Sequence, residues 1–382
     1  MPLATGFDPP PYPFERLGPI AAIARAHDGG MVDLSIGTPC DLPPQVVVDA
    51  LSAGATLHGY PNSVGSDAYR QAAAAWATRR FGVAHDPAHV GACVGTKEFV
   101  ATTPQYLHLR YPDRDTVLYP QISYPTYAMG ADLAGLRAVP VSLRPDGSLD
   151  LASIAPDDVA RALCLWSNSP SNPTGQLDDL AAVAAWARES DVIVLSDECY
   201  TEFVWATDDA RYVAAPTMMS DTPTNVVVVH SLSKRSNAAG IRAGFFAGDQ
   251  DLVHYLREVR KHAGFMVPGP VQSAAVAAWN DDQHVVQQRE IYRRRLSDLA
   301  AVVSSTYGMS VQLPQGGFYL WIKAPAGQDG WSFAETLARD LGVLGSPGDF
   351  YGDASSEFVR LAVVQSDASL ELVRERASKV AR

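Results

Sequence analysis

The sequence predicts an α/β fold of three layers, a mainly parallel central sheet between helices, with a smaller α+β domain beside it. Three observations predict this. First, short continuous apolar runs alternate with helix-like stretches through the middle of the chain, the pattern of parallel strands buried on both faces. Second, the texture changes near residue 284, where a long arginine-rich stretch is followed by mixed strand-like and helix-like segments. Third, 382 residues with 47% hydrophobic content suffice for two domains of roughly 100–200 residues each.

Taken in order, Ala68–Phe81 is alanine-rich and reads as a helix. Phe99–Leu109 is apolar with helical period, behind a Gly-Thr start. Thr116–Tyr119 is a short strand stopped by Pro120, and Ala162–Trp166 is another, running into the loop signal SNSPSNPTG. Leu177–Arg188 reads as an amphipathic helix; Val192–Leu195 and Val226–Val229 read as buried strands. Beyond these, His284–Ser305 is a long helix, Gly317–Ile322 a strand, Phe333–Leu341 a helix and Phe358–Val364 a strand. The expected division is a large domain of residues 45–284 and a discontinuous small domain of residues 1–44 and 285–382.

Composition narrows the function. A net charge of −12 repels phosphate backbones and argues against a nucleic-acid partner. No run approaches the roughly 18 apolar residues of a spanning helix, and the proline-rich start lacks a basic-then-apolar leader pattern, so a cytoplasmic protein without a membrane partner is expected. The cysteines (Cys40, Cys93, Cys164, Cys199) are widely spaced, which fits free thiols and no metal site. Only five of the 30 basic residues are lysines, so lysine chemistry has few candidates.

Three predicted strands run into polar residues: one toward Asn172, one into Asp197 and Tyr200, one into Ser231, Ser233 and Lys234. Ligands of open α/β sheets bind outside the carboxyl ends of the strands, so these residues are expected to converge. A lysine, a carboxylate, an amide and small residues able to cradle a phosphate are what pyridoxal 5'-phosphate requires. The lysine binds its aldehyde, the carboxylate keeps a proton on its pyridine nitrogen, and backbone N–H groups at a helix start hold its phosphate.

Residues 231–244, SLSKRSNAAGIRAG, with SNPTG and SDECY ahead of them, resemble the lysine signature of the class I aminotransferases, fold-type I pyridoxal-phosphate enzymes, and the resemblance covers essentially the whole chain. It implies that Lys234 carries the cofactor and then shuttles the proton. It implies that Asp197 pairs with the pyridine nitrogen, that Tyr200 and Asn172 meet the ring oxygen, and that Ser231, Ser233 and Arg242 hold the phosphate. Gly95, Thr96 and Lys97 match the family's phosphate turn. Lys97 is the rival for the cofactor lysine, and a plain helix cap is the alternative for Thr96. Tyr124 matches the ring-stacking aromatic, with Tyr127 as the alternative. Tyr60 matches a tyrosine reaching the phosphate of a neighbouring subunit, which implies a homodimer with shared sites. Arg360 matches the arginine that grips the substrate α-carboxylate, with Gly37 closing over it.

Longer strings, among them residues 33–39, 95–98, 260–268 and 346–352, resemble the actinobacterial N-succinyldiaminopimelate aminotransferases of lysine biosynthesis. This implies small-molecule partners: glutamate as donor and N-succinyl-2-amino-6-ketopimelate as acceptor. Lys261 and Arg235 are the candidates for the acceptor's distal carboxylates. Aminotransferases of aspartate, methionine or aromatic specificity, and a carbon–sulfur lyase on the same fold, remain the alternatives.

Overall fold

The computed structural model describes residues 6–205, 216–220 and 222–380. Its strands, in chain order, are β1 (Val32–Asp33), β2 (Val90–Cys93), β3 (Thr116–Pro120), β4 (Arg137–Val141), β5 (Ala162–Asn168), β6 (Ile193–Asp197), β7 (Val226–Ser231), β8 (Gly244–Gly248), β9 (Tyr319–Lys323), β10 (Val343–Leu344), β11 (Ser346–Pro347) and β12 (Phe358–Ala362). Seven of them form the main sheet, in the order β2-β8-β7-β6-β5-β3-β4. It is parallel from β7 through β6, β5 and β3 to β4, while β8 runs antiparallel to both β7 and β2. The expected mainly parallel sheet is therefore present, with one reversed strand inside it.

Burial on both faces explains the continuous apolar runs. Along β7, Val226 and Val228 enter one apolar cluster while Val227 and Val229 enter another on the opposite face, the two-residue period of a strand. Helices cover both faces and carry clear boundary signals. Ser66 caps Asp67–Phe81 by accepting from the Tyr69 N–H, and Gly82 ends it with φ 73°. The helix expected from Leu177 begins only at Leu180. The Asp179 side chain caps it by accepting from the Ala182 N–H, while the Leu177 N–H is taken by the Gln315 side chain and the Asp178 N–H by Ser169 Oγ.

A third apolar cluster joins residues 17–34 of the beginning of the chain to residues 292–377 of its end, with Tyr200 and Phe203 reaching in from the main sheet. It encloses the antiparallel sheet β11-β12-β9 and the parallel pair β1-β10. The long helix is Gln283–Tyr307, and Arg295 on it, 4% exposed, bonds Asp41 and Asp367. These clusters support, as a proposal, the division into residues 45–284 and residues 1–44 with 285–382.

Candidate active site

Parallel order brings the carboxyl ends of β5, β6 and β7 to one edge, because Asn168 pairs with Asp197 and Asp197 with Val229 across the ladder. A cavity of about 380 Å³ opens there and is closed on its far side by residues from β9, β12 and the first forty residues. Of the residues named from sequence, Gly37, Thr96, Lys97, Tyr124, Tyr127, Asn172, Asp197, Tyr200, Ser231, Ser233, Lys234, Arg242 and Arg360 line it.

Lys234 sits in the short helix Leu232–Arg235 that follows β7. Its Nζ donates to the carbonyl of Gly37. Burial lowers its pKa to about 8, helped by Arg360 and Arg242 and opposed by Cys199 and Asp197. A lysine so placed offers a free amine near neutral pH. Lys97 lies instead at the cavity mouth, 5.1 Å from the Tyr12 ring centroid. Asp197 is 4% exposed and burial raises its pKa. Its Oδ1 accepts from the Cys199 N–H at 3.2 Å and its Oδ2 from the Tyr127 hydroxyl at 3.1 Å. Tyr127, which also lines the cavity, is therefore the carboxylate's partner and stacks on Trp166, while Tyr124 lines the cavity beside it.

The anion cradle is built from two chain segments. Ser231 Oγ donates to Ser233 Oγ at 2.9 Å, and Arg242 Nη1 approaches Ser233 Oγ at 3.5 Å. Opposite them the helix Thr96–Arg110 begins at Gly95, whose φ is 77°. A Cβ on Gly95 would fall 2.1 Å from Arg242 Nη2, so only glycine lets the arginine reach the helix start. Gly95 itself stands behind the wall.

Arg360, 3% exposed, lies between two rings, its Cζ 4.2 Å from the Tyr319 centroid and 4.8 Å from that of Tyr351. Nη1 donates to Asn172 Oδ1 at 2.7 Å, Nη2 donates to the Ser35 carbonyl, and the buried Nε lacks a hydrogen-bond partner. Asn172 is held in turn by Asn168, whose Oδ1 accepts its N–H at 2.8 Å while Nδ2 donates to the Asp197 carbonyl.

Three further residues named from sequence lie outside this cavity, Tyr60 as its expected role toward a neighbouring subunit requires. Tyr60 is 97% exposed and borders a separate depression with Leu57 and Gly269, so it is not part of this chain's own cavity. Lys261 pairs with Glu258 on an exposed helix face, and Arg235 is buried against Glu202, Asp282 and the carbonyls of Ala278 and Asp281. Neither lines the cavity, because the Lys261 ammonium is committed to Glu258 at the surface and the Arg235 guanidinium to partners buried behind its helix. Sequence reasoning missed Tyr319, Tyr351, Asn168 and Cys199, which all contribute to this site or its support. Tyr319 and Tyr351 have only apolar or glycine neighbours in sequence and nothing local marks them, whereas Asn168 and Cys199 lie inside the polar SNSPSNPTG and SDECY strings, which were the signal available. Among the described residues no cluster suits a metal ion and no helix is long and apolar enough to cross a membrane.

These groups fit pyridoxal 5'-phosphate. A buried amine with a lowered pKa faces a buried carboxylate, and a cradle of hydroxyls, an arginine and a helix N-terminus that a single Cβ would fill lies next to them. The comparisons with known proteins agree. The family model for aminotransferase class I and II matches residues 29–376. The chain is 41% identical to 4-dedimethylamino-4-oxo-anhydrotetracycline transaminase OxyQ of Streptomyces rimosus over 96% of this chain and 98% of that one. It is 35% identical to the LL-diaminopimelate aminotransferase of Desulforudis audaxviator, over 96% and 94%. A solved structure described as a probable N-succinyldiaminopimelate aminotransferase from Thermus thermophilus superposes with a TM-score of 0.83 at 29% identity, over 96% of this chain and 99% of that one.

Proposed function

This chain belongs to the class I and II aminotransferases, which use pyridoxal 5'-phosphate, and from that premise we propose that it moves an amino group from glutamate to N-succinyl-2-amino-6-ketopimelate. The observation that carries the transaminase site is the convergence of Lys234, Asp197 and Arg360 on one cavity. The finer substrate reading is supported by the resemblance of residues 33–39, 95–98 and 346–352 and by the Thermus thermophilus structure.

When bound, the cofactor supplies an aldehyde for the amino group and a ring that withdraws electrons from the substrate Cα. The residues then divide the remaining work. Arg360 receives the α-carboxylate as a planar fork, and the tyrosine rings above and below fix its plane. Asn172, hydrogen-bonded to Arg360, ties that grip to the ring-oxygen side of the cofactor. Asp197 holds a proton on the pyridine nitrogen, and Tyr127 fixes the carboxylate's orientation. Lys234, released from the carbonyl of Gly37, would take the proton from Cα and deliver it to the carbon on the far side of the shared nitrogen; holding that C–H bond toward the amine is a positioning effect. Thr96, Ser231, Ser233 and Arg242 anchor the phosphate, with Gly95 and Lys97 completing the turn. Tyr124 flanks the ring and Gly37 closes over the carboxylate. Tyr60 is assigned to the site of a neighbouring copy in a cytoplasmic homodimer.

One observation favours a second acceptor. The cavity lining includes the aromatic rings of Tyr12, Phe14, Tyr124 and Tyr351, which suits a flat polycyclic ketone like the one named for the OxyQ relative. The visible spectrum of the cofactor-loaded protein tests both readings. Glutamate is expected to bleach the yellow band, and the proposed ketopimelate is expected to restore it. A band that ignores glutamate overturns the donor. A band restored only by an aromatic or polycyclic ketone overturns the acceptor.

A further inference from the structure

Helix Thr96–Arg110 carries an acidic residue, Glu98, in its first turn. Such a residue suits a bare helix N-terminus, but it opposes a phosphate bound at the same end. In this chain the charge is met. Arg260, 2% exposed, forks onto the Glu98 carboxylate, with Nη1 to Oε1 at 2.6 Å and Nη2 to Oε2 at 2.8 Å. The arginine comes from the distant helix Gln250–Ala263 and packs its guanidinium 5.9, 5.7 and 5.5 Å from the centroids of Phe99, Phe246 and Phe265. The same carboxylate also shapes the cradle. Glu98 Oε2 accepts from the Val94 N–H at 3.1 Å, and Arg242 Nη2 donates to the Val94 carbonyl at 3.1 Å. The Val94 peptide is thus held from both ends, immediately before the left-handed Gly95.

We propose that Arg260 is a positioning residue for the cofactor phosphate: it cancels the charge of Glu98 at the helix start and, through Glu98, fixes the Val94 peptide from which the phosphate turn departs. Arg260 itself touches no part of the cavity wall. Removing it leaves a half-buried carboxylate, hydrogen-bonded by Thr102 and the Val94 N–H but without a countercharge, at the end of the helix where a dianion must bind, an arrangement costly for both groups. The inference rests on the reading of Thr96, Ser233 and Arg242 as the phosphate cradle.

The test compares equilibrium binding of pyridoxal 5'-phosphate and of pyridoxal, which lacks the phosphate, by absorbance titration of the cofactor-free protein. Arg260→Met is expected to weaken pyridoxal phosphate by about ten-fold or more and to leave pyridoxal within about two-fold. Glu98→Gln/Arg260→Met, which keeps an acceptor for the Val94 N–H but no charge, is expected to recover most of the loss. Equal losses for both ligands, an unchanged affinity in Arg260→Met, or a double variant no better than the single would overturn the proposal. If Arg260→Met does not fold, Glu98→Gln alone decides. It is expected to bind pyridoxal phosphate as well as the parent or better, and a loss of about ten-fold overturns the charge argument. Failure of the cradle reading looks different: the unaltered protein would then not distinguish the two ligands.

Discussion

The hydroxyls of Tyr200 and Tyr319 meet at 2.7 Å, joining the segment after β6 of the main sheet to β9 of the small one. Burial, and then the neighbouring Tyr319, keep the Tyr200 hydroxyl protonated well above its ordinary range. The pair forms a seam beneath the cavity, and Tyr319 is also the ring on which Arg360 rests. Groups assigned to the cofactor and groups assigned to the substrate are therefore mechanically linked through this hydrogen bond as well as through that of Arg360 to Asn172.

Arg360→Ala is expected to raise the KM for amino donors by about a hundred-fold, since it strips the partner from a buried charged contact, while affinity for the cofactor stays nearly constant. Arg360→Lys should recover only part, because an ammonium cannot fork onto a carboxylate. Steady-state kinetics beside a cofactor titration separates the two effects, and a variant that sheds cofactor with KM unchanged contradicts the assignment.

Gly37→Ala probes the other side of the seam. Its Cβ would lie 2.1 Å from the Tyr319 hydroxyl oxygen, so the tyrosine or the Gly37 carbonyl bound to Lys234 must shift. A fall in kcat/KM of about ten- to a hundred-fold is expected for a displacement near 1 Å, with partial recovery on adding Tyr319→Phe. Wild-type kinetics for the single variant would show that the segment moves freely.

Lys234 gives a pH signature in the cofactor-free protein. Its folded pKa of about 8 lies below the ordinary 10.5. Between those values the unfolded chain binds more protons, so stability rises with pH across that window, and the cost of burying the ammonium is fully present below about pH 8. Lys234→Met removes this cost. Its unfolding free energy should exceed that of the parent near pH 7, by up to about 3 kcal/mol, and the advantage should shrink steadily toward pH 10. A difference independent of pH would contradict a buried cationic lysine. The companion Lys234→Ala is expected to abolish transamination and the yellow band together.

Tyr60→Phe tests the exposed tyrosine. Sedimentation is expected to report a dimer, and loss of this hydroxyl should weaken cofactor retention by about ten-fold, the worth of one charge-assisted hydrogen bond. A monomer that holds its cofactor fully would exclude a shared site.

Much of this molecule was legible because its strands are buried on both faces. Val226–Val229 and Ala162–Trp166 announce themselves as continuous apolar runs, and parallel pairing then places the polar residues after them on one edge. β2 and β8 were not legible: Val90–Cys93 and Gly244–Gly248 are short, and glycine makes up much of the second, leaving no period to read. Glycine is there for clearance, since a Cβ on Gly244 would press within 2.5 Å of the His230 carbonyl. Tyr319 and Tyr351 were invisible for a different reason. They matter through contacts with Arg360 and Tyr200 that only the closing of the chain's two ends creates, and no local pattern encodes such contacts. The expectation for Arg235 failed because a cation next to the key lysine is committed to a buried carboxylate, Glu202, behind the helix.

The reversal of β8 has a consequence for how the molecule assembles itself. Ser231 pairs with Gly244 across an antiparallel hairpin, and the Arg242–Ser233 contact spans only nine positions of chain. The bond from Arg360 to Ser35 spans 325. Closing a short loop costs less entropy and happens sooner than closing a long one. The hydroxyl and arginine half of the anion cradle is thus local in the chain, its other half at Val94 lies 148 positions from Arg242, and the carboxylate grip needs both ends of the chain together. The site thus joins contacts of three different reaches along the chain, and the longest of them, from Arg360 to Ser35, carries the highest closure cost.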